Sequence, residues 1–233
     1  MEFSDVQVAI VGAGFTGVAL AIQLCRRTGP GARILLAGDE SSLGVAYGAA
    51  APMHLLNVAA GRMSLDPAAP GDFVAWLTAH GYDGEQAEQG VPLPERYLPR
   101  AIYGRYVLDR FAEACAASPA EVIRVEDTIT HVERDGERWR VQFASAPPVT
   151  AGAVALCLGN LPPRLPLPPD AVAPGALDRV ISNPWRDPRM AEISPEDRVL
   201  VLGTGLTMVD YVLEWDLAGR TGETCALSRR GLL

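Results

Sequence analysis

Three glycines, Gly12, Gly14 and Gly17, stand between an apolar run at residues 6–11 and a segment that carries Val18, Ala21, Ile22 and Cys25 on one helical face. A buried strand, a tight glycine turn and a helix, in that order, leave few folds open. The first glycine permits the turn, the second lets a phosphate approach the backbone, and the third lets the helix pack closely on the strand. The helix N-terminus then offers unpaired N–H groups and a positive dipole end to an anion. Arg26-Arg27-Thr28-Gly29-Pro30-Gly31 ends the helix, and residues 33–37 form a second strand running into Gly38-Asp39-Glu40. The start of the chain therefore reads as a βαβ unit of the dinucleotide-binding type. Gly12, Gly14, Phe15, Thr16 and Gly17 are its cofactor-binding residues. Asp39 is either the acid for a ribose hydroxyl or a solvated turn residue.

Residues 41–120 are helical and loop-rich. Phe73, Trp76 and Leu77 recur at helical spacing after Pro70-Gly71-Asp72, and Tyr103, Tyr106, Val107, Phe111 and Ala114 share a stripe, which makes these aromatics core residues. Between 121 and 144 the period becomes two, and Asp135-Gly136 predicts a hairpin joining 129–134 to 139–143. A further strand over 153–158 ends in Gly159-Asn160. Prolines 162, 163, 166, 168 and 169 then predict an extended connector.

Past the connector the opening is repeated. Residues 198–202 form a strand, Gly203-Thr204-Gly205 a glycine turn, residues 206–217 a helix and residues 223–228 a second strand. Met208 stands where a third glycine would be. Arg229 and Arg230 follow the second strand, where an arginine can hold the 2′-phosphate of NADP through a bidentate contact, or where an exposed basic pair simply meets solvent. Composition narrows the chemistry further. All 20 basic residues are arginine, so a Schiff-base or phosphate-loop lysine is excluded. A net charge of −8 without a basic block gives no footprint for nucleic acid or an anionic membrane. Four cysteines without a CxxC or Cys/His cluster support neither a metal site nor a dithiol centre. The apolar run at 6–11 is too short for a signal-peptide core or a membrane span, so a cytoplasmic, reduced setting is expected.

Two glycine turns some 190 residues apart resemble the flavoproteins with two dinucleotide-binding domains, and the resemblance narrows to a bacterial family of FAD/NAD(P)-binding proteins related to flavin-containing and N-hydroxylating monooxygenases. It is carried by Gly44-Val-Ala-Tyr47, His54-Leu-Leu-Asn57-Val58, Gly61-Arg-Met-Ser64, Pro99-Arg100, Tyr103-Gly-Arg-Tyr106, Asn183-Pro-Trp185 and Gly203-Thr-Gly-Leu-Thr-Met-Val-Asp210. The resemblance implies FAD on the first turn and NADPH on the second. It implies that Asn57, the candidate catalytic residue, lies with Met63 six residues on beside the flavin ring and the nicotinamide, where a neutral amide can donate and accept without adding charge; the other reading of Asn57 is a capped turn between two apolar stretches. Arg62, Ser64 and Gly159, which closes the segment resembling Ala-Thr-Gly, are further flavin contacts on the same basis. His54 either orients the Asn57 loop or is a hydrogen-bonded structural residue.

The expected fold is therefore α/β: a Rossmann-like FAD/NAD(P)-binding domain over 1–165, with a parallel sheet and an antiparallel β crossover, a connector over 166–197, and the start of a second, incomplete Rossmann-like domain over 198–233. Family members run to about twice this length, so the chain is expected to be a fragment, to be completed by a partner chain, or to have its tail packed differently. The expected function is an FAD-dependent oxidoreductase using NAD(P)H, of monooxygenase type, whose small-molecule substrate no residue names. The alternatives are a nucleotide-binding subunit that needs a partner chain for activity, and a simple NAD-dependent dehydrogenase using the first turn alone; the loop at 54–64 argues against the last.

Overall fold

The computed structural model describes residues 5–38, 43–48, 53–82, 90–165 and 167–231. Two compact units emerge from it, one made of residues 1–52 and 58–159, the other of residues 53–57 and 160–233.

In the first unit, the opening apolar run becomes β1 (Asp5–Val11), the glycine turn leads into α1 (Phe15–Cys25), and the chain returns through β2 (Arg33–Ala37). β1 and β2 pair in parallel, with Val8 beside Ile34 and Val11 beside Ala37. α1 buries Gly17, Val18, Ala21, Ile22 and Cys25, the face that its spacing announces. Two further helices follow, α2 (Asp72–Ala79) and α3 (Arg100–Ala117), and α3 packs against α1. β3 (Glu121–Val125) then adds in parallel to β2.

The antiparallel crossover carries the chain to the other side of the sheet. β4 (Ile129–Asp135) and β5 (Arg138–Phe143) form the hairpin, Asp135 pairing with Arg138, and β6 (Val149–Leu156) runs antiparallel to β5 and parallel to β1. The six-stranded order is β3-β2-β1-β6-β5-β4. This puts the glycine turn, which leaves the C-terminal end of β1, between its two parallel neighbours β2 and β6. β6 occupies 149–156, whereas the sequence predicts 153–158. The earlier start includes Gly152, where a side chain would meet the Gln7 carbonyl of β1 at 3.0 Å, so the missing Cβ serves the close pairing. One cluster of buried side chains, Val6, Leu35, Ile123, Val141, Phe143 and Val149, is drawn from both the parallel strands and the hairpin. The central strands β1 and β2 read as apolar runs, whereas the hairpin alternates.

In the second unit, the described residues of 160–198 hold no helix or strand beyond short 3₁₀ turns. Arg189 organises them, donating to the carbonyls of Asp178 (2.8 Å) and Val180 (3.0 Å) while bound to Asp187. β7 (Val199–Leu202), α4 (Leu206–Leu217) and β8 (Thr224–Leu227) complete it, β7 and β8 forming a two-stranded parallel sheet with Leu202 beside Leu227. Leu206, Val209, Leu213 and Leu217 of α4 are exposed, as are Leu200 and Leu227. Among the described residues no helix is long and apolar enough to cross a membrane.

Candidate functional site

The first glycine turn is built by strand ends pressing on it from two sides. The Gly12 N–H donates to the Ala37 carbonyl of β2 at 2.7 Å, and the Cys157 N–H donates to the Val11 carbonyl at 2.7 Å, just past β6. That second bond sets the Cys157 carbonyl against Gly12, where any Cβ would overlap it, and Gly12 itself sits at φ +109°, a conformation that side chains disfavour. Gly17 faces the same crowding from the other direction. A Cβ there would overlap the Gly12 carbonyl oxygen and touch Ile10 at 3.3 Å. The first and third glycines thus set the turn and the helix packing, as their spacing predicts.

Gly14 differs. It is the N-cap of α1, in extended conformation (φ −69°, ψ −179°), without a side-chain cap, and among the described residues a Cβ on it would have only the Leu43 carbonyl within reach, at 3.9 Å. The open side of the turn therefore lies over Gly14 and the first turn of α1, where N–H groups lack intrahelical partners. The Phe15 N–H is engaged by the Leu43 carbonyl (3.2 Å), and Thr16 is exposed at the next position. A cradle crowded beneath and open above, at a helix N-terminus with no acidic residue in its first turn, fits a dinucleotide pyrophosphate.

The Phe15 side chain has a structural part. Its ring meets Tyr47 edge-on at 5.1 Å and Tyr103 at 6.0 Å, and Tyr103 continues to Phe73 at 5.0 Å. Gly104 allows the approach, because a Cβ there would lie 2.8 Å from the Tyr47 carbonyl. This explains physically why Gly44-Val-Ala-Tyr47 and Tyr103-Gly-Arg-Tyr106 occur together. Tyr106, fully buried, donates its hydroxyl to Asp72 at 2.7 Å, and Arg110 binds the same carboxylate through two nitrogens at 2.8 and 2.9 Å. Burial alone would raise the Asp72 pKa; the hydrogen bonds from Arg110 and Tyr106 outweigh it and hold the carboxyl below its usual range. Burial raises the Tyr106 and Tyr103 hydroxyls, and likewise the Cys157 thiol, so none of these is an acid or nucleophile poised for neutral pH.

Of the remaining candidates, Asp39 lies outside the described residues. Arg62 is exposed at the end of a 3₁₀ turn (Ala60–Arg62), and Met63 is half-buried, its N–H donating to the Ala60 carbonyl at 3.1 Å. The Ser64 hydroxyl is used within its own loop, donating to the Ala69 carbonyl at 2.8 Å and accepting from the Asp66 N–H at 3.1 Å. Gly159 is exposed three residues past β6. Asn57 is exposed and groups with the second unit, as does His54, whereas Met63 groups with the first. His54 is 2% exposed and donates Nε2–H to Glu214 of α4 at 3.0 Å. Sequence reasoning misses three contributors. The carbonyls of Leu43 and Cys157 act through backbone, which no side-chain motif records. Glu214 lies 160 positions from its partner.

The second turn repeats the backbone of the first. Gly203 has φ +110°, its N–H donates to the Leu227 carbonyl of β8 at 2.8 Å, and Gly205 caps α4 with φ −79° and ψ −179°. Among the described residues neither glycine has any atom within 4 Å of where a Cβ would stand, and Met208 is half-buried at the third position. Arg229 and Arg230 are exposed directly after β8.

No curated protein matches the chain. Among solved structures, a doubly substituted flavin monooxygenase from Stenotrophomonas maltophilia matches 97% of the chain at 21% identity and a TM-score of 0.60, the chain covering 58% of that protein. A bacillithiol disulfide reductase from Staphylococcus aureus matches 97% at 15% identity (TM-score 0.57, 58% of that protein), and an oxidized steroid monooxygenase bound to NADP matches 96% at 18% identity (TM-score 0.54, 38% of that protein). The chain therefore spans between about two fifths and three fifths of their length, and at these identities the likeness establishes the fold. A family model described as FAD-NAD(P)-binding matches residues 9–161, from the middle of β1 through the turn and the crossover to five residues past β6. With both the turn and its family match in place, the chain belongs to the FAD-NAD(P)-binding family.

Proposed function

We propose that the chain works as an FAD-dependent oxidoreductase of the monooxygenase type, reduced by NADPH and operating in the cytoplasm. The observation that carries this reading is the repetition of one backbone turn at two strand-to-helix junctions, Gly12–Gly14 and Gly203–Gly205, with φ +109° and +110° at their first glycines. A protein that binds one nucleotide needs one such turn; two support two dinucleotides. FAD, when bound, supplies two-electron redox chemistry, accepting electrons from a reduced nicotinamide.

The chain's own residues bind and orient. The backbone N–H groups of Gly14 and of the first turn of α1 after Phe15 would take the FAD pyrophosphate, while Gly12 and Gly17 keep the turn narrow enough for that approach. Asp39 would take the ribose, and Arg62, Met63, Ser64 and Gly159 would hold the flavin. Gly203 and Gly205 take the NADPH pyrophosphate, and Arg229 and Arg230 its 2′-phosphate through bidentate contacts. Asn57 presents a neutral amide to the reacting rings. The names of the structural neighbours, two of them monooxygenases, support the class of reaction and not the substrate.

The test is direct. Purified protein is examined for flavin absorbance, then for NADPH oxidation. A colourless preparation that takes up no added FAD defeats the reading. One observation favours a second reading, a nucleotide-binding subunit active only with another chain: the leucines of β7, β8 and α4 are exposed, although parallel sheets are normally covered on both faces. A yellow protein that never oxidises NADPH until a further polypeptide is added selects that alternative.

A further inference from the structure

We infer that His54 is a positioning residue that fastens the Asn57 segment to α4, the helix that begins at the second glycine turn. The inference rests on the reading above, in which that turn holds NADPH.

His54 is buried to 2% exposure, yet it is polar, and a buried imidazole is tolerated only where its ring nitrogens are satisfied. Its Nε2–H meets the Glu214 carboxylate at 3.0 Å, and Glu214 is itself 35% exposed, so its charge is solvated while its direction is fixed. Two aromatic rings complete the enclosure. Trp185 meets the imidazole edge-on at 5.3 Å and Tyr211 at 5.5 Å, with Trp185 and Tyr211 5.4 Å from each other. The Tyr211 hydroxyl donates to the Pro184 carbonyl at 2.9 Å, which ties the Asn183-Pro-Trp185 segment to α4. Tyr211 and Glu214 lie on α4 six and nine residues after Gly205, the N-cap. The segment 53–57 is thus gripped near its start, at His54, by the helix whose N-terminus would meet the nicotinamide dinucleotide.

What the grip positions follows from length. Asn57 is three residues past His54, a span of at most about 10 Å. Leu56 between them is buried, while Asn57 is exposed. A space-filling leucine at 54 would bury apolar surface, but it would lack the directional bond to Glu214 that sets where this short arm points. His54 therefore acts through Asn57 and touches neither nucleotide in the reading given above.

The experiment uses the full chain loaded with FAD and compares wild type with His54→Leu, His54→Gln, Glu214→Gln and Glu214→Ala. Amide hydrogen exchange is measured first. His54→Leu and Glu214→Ala are expected to accelerate exchange about tenfold at residues 54–58 and to leave residues 6–11 and 33–37 unchanged. His54→Gln and Glu214→Gln, which retain a donor and an acceptor, should stay near wild type. Anaerobic flavin reduction by NADPH is then followed. The limiting rate should fall about tenfold or more in His54→Leu, as small misplacements of aligned groups do, with the NADPH Kd within about twofold. The double variant His54→Leu/Glu214→Ala should be no worse than either single one.

Unchanged exchange at 54–58 overturns the proposal, and so does an unchanged reduction rate or a strictly additive double variant. A wild-type flavin that NADPH does not reduce defeats the reading of the second turn, and this proposal with it. A wild type that is reduced, with His54→Leu matching it, defeats the proposal alone. The glutamine variants guard against misfolding, since they preserve the bond and should preserve the rate.

Discussion

The two glycine turns have nearly the same backbone and very different surroundings. At each, a strand runs out into a glycine of φ near +110°, that glycine's N–H donates to the next strand, and an uncapped glycine in extended conformation opens the helix. Around the first, the Cys157 carbonyl presses on Gly12 and the Gly12 carbonyl presses on Gly17. Around the second, no atom of the described residues lies within 4 Å of where a Cβ on Gly203 or Gly205 would stand. The conformation therefore needs only the strand, turn, helix and returning strand, whereas the crowding at Gly12 also needs β6 on the other side of β1. A glycine can be required for its φ, for its missing Cβ, or for both, and the pair of turns separates these requirements.

The largest contrast between the two turns is expected where crowding acts alone. Gly17 is inside α1, where alanine would normally be favoured by about 1 kcal/mol. Here a Cβ overlaps the Gly12 carbonyl, so Gly17→Ala must push the helix off the strand and should destabilise the protein by about 3 kcal/mol, as overpacking does. FAD content should fall with it. The equivalent position of the second turn is Met208, and Met208→Ala should change stability by no more than about 1 kcal/mol because the site is only half-buried. Urea denaturation of both variants checks the contrast, and equal losses would dissolve it.

Next come the paired substitutions Gly12→Ala and Gly203→Ala. Both incur the backbone strain of a positive φ, about 1–3 kcal/mol. Only Gly12→Ala also collides with Cys157, which should raise its cost about 2 kcal/mol above that of Gly203→Ala. The difference between the two midpoints isolates the contribution of β6 to the turn.

The same contrast explains what could be read from the sequence. β1, α1, β2, the hairpin and the strand, turn and helix after residue 198 are all set by local spacing, and residues such as Val18, Ala21, Ile22 and Cys25 announce which face is buried. The start of β6 at Val149 was not legible, because Pro147-Pro148 before it and Gly152 within it are loop signals that the pairing with β1 overrides. The glycine positions of the candidate site were legible for the same local reason. The backbone carbonyls of Leu43 and Cys157 were not, nor was the bond from His54 to Glu214, since each depends on segments brought together over long separations.

A third prediction tests the packing on which only the first turn rests. Phe15 at the head of α1 leans on Tyr47 and Tyr103, and that cluster continues through Tyr106 to Asp72. Asp72→Asn weakens the bonds from Arg110 and Tyr106 and should cost about 1–2 kcal/mol at neutral pH. The folded-state pKa of Asp72 lies below its ordinary value, so its stabilising contribution is complete above the unfolded value, near 4, and is lost as pH falls through the folded one. The gap between wild type and Asp72→Asn should accordingly be constant from pH 7 to about 5 and close in stronger acid. A gap that persists unchanged at pH 2 would mean that charge plays no part.

The smallest stability effect, and the most specific functional one, belongs to Gly14→Ala and Gly205→Ala. Both glycines have extended backbone that any residue adopts, and both have open space where a methyl group would stand. Each substitution should therefore change stability by less than about 0.5 kcal/mol. The methyl group would nevertheless project into the side from which a phosphate must approach, and should weaken dinucleotide affinity about tenfold, or about 1.4 kcal/mol. Gly14→Ala should lower FAD affinity and spare NADPH; Gly205→Ala should do the reverse, as measured by flavin titration and by the NADPH dependence of flavin reduction. Loss of FAD from both variants would show that the turns do not divide the two nucleotides between them. A loss confined to one nucleotide in each would make the similarity of the turns functional as well as geometric.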